Sequence, residues 1–367
     1  MTLLDTVRPS IRDGDVTVLV AGVGTLGASG ILKALRQTDA FDAHIVGVDA
    51  NPNARGFSLV DTAATVSQDE PEALVAELFE IAWRENVDVV FPLGTEFLRP
   101  LSESKQTFES EGIQVMVADP RALGIARDTG RLYGELVKRG HPATPEFYRV
   151  STHEEFVDAV HALGYPDRCV CFKPPTSTDL SCLHILDPEI DRFNALLNKQ
   201  SNSIRTTLDG VLPAFAETAE FPDLVVTEDL RGEKYSVDAL VRADEEPILV
   251  TRLHTETDEN RSFTGTVEED FELMEYSREI CDLVGLEYNA TLRFKRSADG
   301  TPKLLGIHPR ISKSITACVG AGANIPALSV QYALGRELPD VDVEWGTHVT
   351  RDWQDVFYGP DREPSTI

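Results

Sequence analysis

The chain has 367 residues, with 61 Asp plus Glu against 34 Lys plus Arg, for a formal charge of −27 at pH 7. Such a balance excludes a non-specific nucleic-acid binder, because a phosphate backbone needs a concentration of cations that this composition lacks. A hydrophobic content of 42% excludes wholesale disorder, and the length allows two or three domains at roughly 100 to 200 residues each.

The cations are 9 Lys and 25 Arg. An acidic, Lys-poor composition suits a halophilic cytoplasm of molar salt, where screening over about 3 Å removes the repulsion between carboxylates. Five cysteines, Cys169, Cys171, Cys182, Cys281 and Cys318, make an odd number. The opening MTLLDTVRPSIRDGD has no apolar run of the signal-peptide kind. The uncharged stretch Val16 to Leu32 is interrupted by Gly22, Gly24, Gly27 and Gly30 and falls short of the roughly 18 residues a membrane span requires. The expectation is a soluble, reduced, cytoplasmic protein with no membrane partner.

In chain order, VTVLVA from Val16 reads as a strand, followed by a glycine turn and a helix carrying Ile31, Leu32 and Leu35. HIVGVDA (44–50) reads as a second strand, PEALVAELFEIAWRENV as an amphipathic helix opened by proline, and VDVVFPLG and GIQVMVAD as further strands. The alternation predicts a Rossmann-like α/β unit with a parallel sheet over 14–122. Beyond Arg127 the texture becomes mixed α+β. CVCFKPP and SCLHILD are strand-like around a polar loop, LVVTEDLRGEKYSVDALV (224–241) holds two strands about Arg231 and Gly232, and PILVTRLH continues the sheet. VEEDFELMEYSREICDLVG is a helix ended by Gly285, and ATLRFKRSADGTPKLLGIHPR is a hairpin turning at Asp299 and Gly300. From 341 to 367 an acidic, mobile tail is expected.

Gly22, Gly24 and Gly27 form G-x-G-x-x-G between a strand and a helix, and Asp49 ends the next strand. Taken alone, this is the context of an NAD site, with the pyrophosphate at the helix N-terminus and the acid on a ribose hydroxyl. The alternative is a tight β-to-α turn without a dinucleotide.

The second half resembles the ATP-grasp superfamily, in particular proteins like the large subunit of carbamoyl phosphate synthase. The resemblance rests on FPLGTEFLRPLSE (91–103), KPP (173–175), TEDLRGEKYSVDAL and the segment 293–335. It implies a Rossmann-like first domain that contacts the non-nucleotide substrate, then a two-subdomain α+β ATP-grasp fold over 123–340 with a lid at about 143–227. It also implies ATP as cofactor, a small carboxylate as substrate, activation as an acyl phosphate, and attack by an amine. A homodimer is compatible with this reading.

Carried over by position, Lys173 matches the phosphate-contacting basic residue. Glu228 matches the acid that opens the adenine segment, with the backbone of Asp229 and Leu230 facing the base edge. Glu233 or Lys234 stands at the ribose acid, Arg252 at a basic residue facing phosphates or substrate, and Arg310 at the Arg of Glu-x-Asn-Pro-Arg. The departures fall where the chemistry should be. The family's metal ligands are replaced by Arg293, Gly306 and His308, so magnesium is poorly served. The phosphate loop PTSTDLS has no glycine, and Asp128-Thr129 stands where relatives carry Asp-Lys, with Arg127 and Arg131 as candidate substitutes. Asp238 is an acid that a small shift of alignment could bring into play. Three readings follow: an ATP-dependent ligase with impaired catalysis, an inactive binding or regulatory protein, and an NAD-dependent oxidoreductase. Separately, Cys169 and Cys171, and Cys182 and His184, are spaced to share one face of paired strands. They are candidates for zinc or, more ordinarily, structural filling.

Overall fold

A computed structural model describes residues 14–68, 70–176, 183–191, 204–217, 220–258, 262–351, 356–358 and 364–366. The polar loop from 177 to 181 and Cys182 lie outside the described residues.

The first sheet is parallel, with β1 (Asp15–Ala21), β2 (Asp42–Asp49), β3 (Thr62–Thr65), β4 (Val89–Pro92) and β5 (Gln114–Val115) in the order β3-β2-β1-β4-β5. Both faces are covered, which explains the unbroken apolar run of β1. Val16, Val18 and Val20 pack with Ile31 and Leu35, whereas Leu19 and Ala21 pack with Leu74 and Leu78 on the far side. The strand β3 was not expected, because its half-exposed TAAT carries no apolar run.

The second sheet joins β6 (Phe147–Val150), β7 (Val170–Lys173), β8 (His184–Leu186), β9 (Ile204–Thr206) and β10 (Leu224–Glu228) in the order β6-β10-β7-β8-β9. One face carries a core of its own, where Phe156 and Val160 of the helix His153–Ala162 pack on Val150, Val170, Phe172 and Val226, and the other sends Val225 and Phe147 into the core beneath the third sheet.

The third sheet runs β15-β14-β11-β12-β13-β16, from β11 (Lys234–Val241), β12 (Ile248–Asp258), β13 (Ser262–Val267), β14 (Tyr288–Arg296), β15 (Pro302–His308) and β16 (His348–Thr350). Alternation divides β11 cleanly. Tyr235, Val237 and Ala239 enter a core beneath the helices Thr129–Arg139 and Phe271–Val284, while Ser236 and Asp238 face the other way. On that other face, Leu240, Val250, Val267 and Tyr288 share one core with β1 and with the helix Ile325–Ala333.

Residues 341–350 correct the expected mobile tail. Val341, Val343, Trp345 and Val349 pack against the core shared by the first and third sheets, and β16 pairs with β13, Thr264 opposite Thr350.

Candidate functional site

The segment 224–241 leaves the second sheet at Glu228 and enters the third at Lys234. Its crossing is fixed by Gly232, whose N–H donates to the Arg296 carbonyl at 3.1 Å. A Cβ on Gly232 would lie 2.3 Å from that same oxygen, so glycine is what lets the hinge lie against β14. Between the two sheets opens a cavity of about 840 Å³, ample for a nucleotide-sized ligand.

Lys173, Glu228, Asp229, Leu230, Glu233, Lys234, Arg293, Gly306 and His308 all line this cavity, whereas Arg252 and Arg310 do not. The hinge acids are held in place. Glu228 accepts the Glu146 N–H at 2.9 Å, and Glu233 accepts the Tyr235 hydroxyl at 3.0 Å. Asp229 pairs with Arg231 at 3.2 Å and faces the Cys171 thiol at 3.7 Å. The Leu230 carbonyl, expected to face a base edge, accepts from the Lys295 ammonium.

The floor is the polar face of the third sheet. Strand register lays Arg252, Ser236, Arg293 and Gly306 in one row across β12, β11, β14 and β15. The next row carries His308, Thr291 and Asp238, and the row on the other side carries His254, Lys234 and Lys295. Lys173 reaches this floor from the second sheet, its ammonium 3.5 Å from the Leu305 carbonyl. Burial first, and the Arg293 guanidinium second, bring its pKa down to about 8. Burial, then Arg252 and Lys234, push His254 down to about 2, and its Nε2 lies 2.7 Å from the Ser236 hydroxyl. Burial, then Arg293 and Arg310, hold His308 well below its ordinary value. Both rings are therefore neutral near pH 7.

Arg252 departs from its expected role. It is 1% exposed, and its guanidinium grips Asp238 at 2.6 Å and donates to the Ser314 and Ser312 hydroxyls at 3.0 and 3.3 Å. Because Asp238 also accepts the Thr291 hydroxyl at 2.9 Å, the pair is a buried structural contact rather than a ligand-facing charge. Arg310 turns toward the first sheet, donating from Nε to the Thr95 hydroxyl at 3.3 Å and from a terminal nitrogen to the Ile311 carbonyl at 2.9 Å. Asp128 caps the helix Thr129–Arg139, accepting the Arg131 N–H at 3.0 Å. Arg131 itself is two-thirds exposed beside Asp128, while Arg127 lines the cavity.

Magnesium, which the resemblance implies, requires several hard oxygen donors in octahedral array. Arg293, Gly306 and His308 offer a guanidinium, no side chain and a neutral imidazole, and Asp238 is already held by Arg252 and Thr291. Among the described residues no three His, Cys, Asp or Glu side chains converge in a metal-holding group. The residues present do not fit the metal.

Two other expectations are corrected. The glycine turn presents no open pyrophosphate surface: the Lys313 carbonyl lies 2.3 Å from where a Cβ on Gly27 would stand. Asp49 folds back to accept the Gly24 N–H at 2.7 Å and the Asn51 N–H at 2.9 Å. The turn thus packs the first sheet against the backbone at Lys313, and the NAD reading loses its anion site. The zinc constellation also separates, because His184 pairs in register with Phe172 and stacks on its ring at 4.8 Å, while Cys169 and Cys171 pack with Ile185 on the opposite face.

Four cavity residues escaped the site assignment: Lys295, His254 and the lid pair of Arg205 with Asp187 at 2.9 Å. Period-two spacing would have found Lys295, which shares a face with Thr291 and Arg293 along β14. The Arg205–Asp187 pair depends on β8 lying parallel to β9, a long-range pairing with no local signature.

Residues 18–116 match the family described as PylC-like, N-terminal domain, and residues 220–353 match that described as ATP-grasp in the biosynthetic pathway with Ter operon. Over 176 residues the chain is 25% identical to the formate-dependent phosphoribosylglycinamide formyltransferase of Pyrococcus furiosus, a match covering 45% of this chain and 35% of that one. The chain thus spans only 35% of the length of the curated relatives it matches. Among solved structures, N5-carboxyaminoimidazole synthetase from Staphylococcus aureus complexed with ADP superposes with a TM-score of 0.66 at 13% identity, covering 90% of this chain and 80% of that one. The L-amino acid ligase from Bacillus licheniformis gives 0.59 at 13% identity, covering 89% and 75%. Biotin carboxylase from Campylobacter jejuni, in its β-γ-ATP complex, gives 0.64 at 14% identity, covering 89% and 73%. At these identities the likeness shows a shared fold. Among the described residues no helix is long and apolar enough to cross a membrane.

Proposed function

We propose that the chain is an ATP-grasp protein, as the family match over residues 220–353 and the shared fold support, that the cavity between its second and third sheets binds an adenine nucleotide, and that acyl-phosphate ligation there is impaired. One observation carries the reading: Lys173, the hinge 228–234 and Arg293 come from two sheets to line a single cavity. The base and ribose belong against the hinge, Leu230 supplying buried apolar surface and Glu233 a carboxylate. The phosphates belong at the cationic end, beside Lys173 and Arg293. A small carboxylate belongs toward the first sheet, where Arg310 meets Thr95. We take 14–122 and 123–340 as the working units of this arrangement.

In such a site a carboxylate oxygen attacks the terminal phosphorus and ADP leaves. An amine then attacks the acyl carbon and expels phosphate. The chain's own residues position the reactants and neutralise charge, the main protein contribution to phosphoryl transfer. A cation-bound ground state without acidic metal positions loses several kcal/mol of transition-state stabilisation, of the order a catalytic metal supplies. That loss is the reason for impaired turnover.

Calorimetric titration with ATP, ADP and NAD tests the binding. ATP and ADP heats that vanish in Lys173→Ala are expected, and NAD binding in their place would overturn the reading. ATP consumption with small carboxylates and amines then separates the two forms of it. Slow consumption identifies a weakened ligase, and its absence identifies a binding protein using the same cleft.

A further inference from the structure

We propose that the cationic end of this cavity takes the phosphate chain of its nucleotide bare, held by Arg127, Lys173 and Arg293 rather than through magnesium. The inference rests on the nucleotide reading above and concerns how the phosphates are neutralised.

Three observations converge. First, the positions facing each other across β14 and β15 are Arg293 and Gly306. That end of the floor therefore presents a guanidinium where a divalent cation would need oxygen donors. Second, the Lys173 ammonium sits in the field of Arg293, and burial and that repulsion together depress its pKa. Two cations held close in a partly desolvated cleft cost free energy that a multivalent anion would recover. Third, Arg127 lines the same cavity with its Nε buried and without a hydrogen-bond partner. A buried, unsatisfied charged donor is costly unless something binds it. The main chain joins the two segments, because the Thr129 N–H, two residues beyond Arg127, donates to the Pro175 carbonyl, two residues beyond Lys173, at 2.8 Å. The cavity's carboxylates do not cancel this charge: Asp187 and Asp229 are paired with Arg205 and Arg231, and the remaining Glu189, Glu228 and Glu233 are outnumbered by Arg127, Lys173, Lys234, Arg293 and Lys295. Charge-assisted, forked contacts from two arginines suit tetrahedral phosphate oxygens directly.

A chelated triphosphate has these oxygens occupied by metal and carries two fewer negative charges. Magnesium should therefore compete with the site rather than complete it.

The test is calorimetric titration of the full chain with ATP and with inorganic tripolyphosphate, first in EDTA and then with excess magnesium. Both probes are expected to bind in EDTA, and magnesium is expected to weaken them. Arg293→Gln and Arg127→Gln should each lower affinity in EDTA by about tenfold or more, with an unchanged circular-dichroism spectrum as the check on folding. Arg293→Glu combined with Gly306→Glu places two carboxylates across the strands, at a glycine where an added Cβ meets no atom but the φ of +157° strains the backbone, and with the same circular-dichroism check on folding it should make ATP binding magnesium-dependent. If ATP binds the natural chain only with magnesium, this inference falls and the nucleotide reading stands. If tripolyphosphate binds in EDTA and ATP binds under neither condition, the nucleotide reading falls and the cation cluster stands. If neither probe binds, both fall. An Arg127→Gln isotherm identical to the natural chain's overturns the three-cation assignment.

Discussion

Arg293 on β14 and Gly306 on β15 are cross-strand partners, with a bulge in the register immediately beyond Arg293. A long cation thus stands opposite a residue with no side chain, so its charge acts across the cleft, and besides His308 it perturbs Lys173. Arg293→Gln should therefore raise the Lys173 pKa toward its ordinary value, because the like charge is removed while burial is retained. The rate of amine labelling at Lys173 against pH reads this directly. An unmoved titration would mean that burial alone sets the shift.

Lys173 also gives a pH dependence of stability. Its folded pKa of about 8 lies below the ordinary 10.5, so between those values the unfolded chain binds the extra proton and stability rises with pH. Below about 8 both states are protonated and the slope from this group vanishes. Buried tyrosines and cysteines titrate in the same range with the opposite sign, so the observable is the natural chain minus Lys173→Met in urea unfolding. A bound polyanion should flatten that difference. Anion affinity itself should fall about tenfold per pH unit above the folded pKa.

The pair of Arg252 with Asp238 is expected to behave as a structural contact. Asp238→Ala strands a guanidinium that is 1% exposed and should cost about 3–5 kcal/mol in denaturant unfolding. Joint replacement by Arg252→Met and Asp238→Leu should recover much of that loss. A fully stable Arg252→Met chain that no longer binds ATP would instead return Arg252 to the ligand side.

Gly27→Ala drives a Cβ to 2.3 Å from the Lys313 carbonyl at a residue whose φ is +91°, and a cost of about 1–3 kcal/mol is expected from the forced shift. Gly134 is the control. It lies within the helix Thr129–Arg139 with nothing within 4 Å of an added Cβ, and Gly134→Ala should stabilise by about 0.5–1 kcal/mol. Thermal unfolding of the two variants should move in opposite directions.

What could be read from the sequence follows from where its signals are local. The apolar run of β1, the capped helix Phe271–Val284 with Gly285 in the left-handed region, and the hairpin about Gly300 each carry their own signature. The hinge acids and Lys173 came from motif position, and the structure gathers them at one cavity. Arg252 misled because a basic residue on a cleft-facing strand looks the same whether it meets a ligand or a buried acid, and only the register Ser236 opposite Arg252 brings Asp238 near. The glycine turn misled for a related reason. Glycines that let a pyrophosphate approach equally let a backbone approach, and it is the Lys313 carbonyl, 286 positions along the chain from Gly27, that arrives. His184 was placed by spacing alone, which cannot say which face of β8 meets Cys171.

That carbonyl has a mechanical consequence. Lys313 O presses on Gly27 and also accepts a hydrogen bond from Arg351 at 2.7 Å, so one atom clasps the beginning, the late middle and the end of the chain. With the first and third sheets also merged in one core, they form a single anvil, and the second sheet, which keeps a core of its own on one face, is braced against it on the other through Val225 and Phe147. The two chain crossings, residues 140–146 and 229–233, are pinned to the same block, since the Ala143 carbonyl accepts the Leu304 N–H at 2.8 Å and the Gly232 N–H donates to the Arg296 carbonyl at 3.1 Å, so the cavity has a braced wall on both sides.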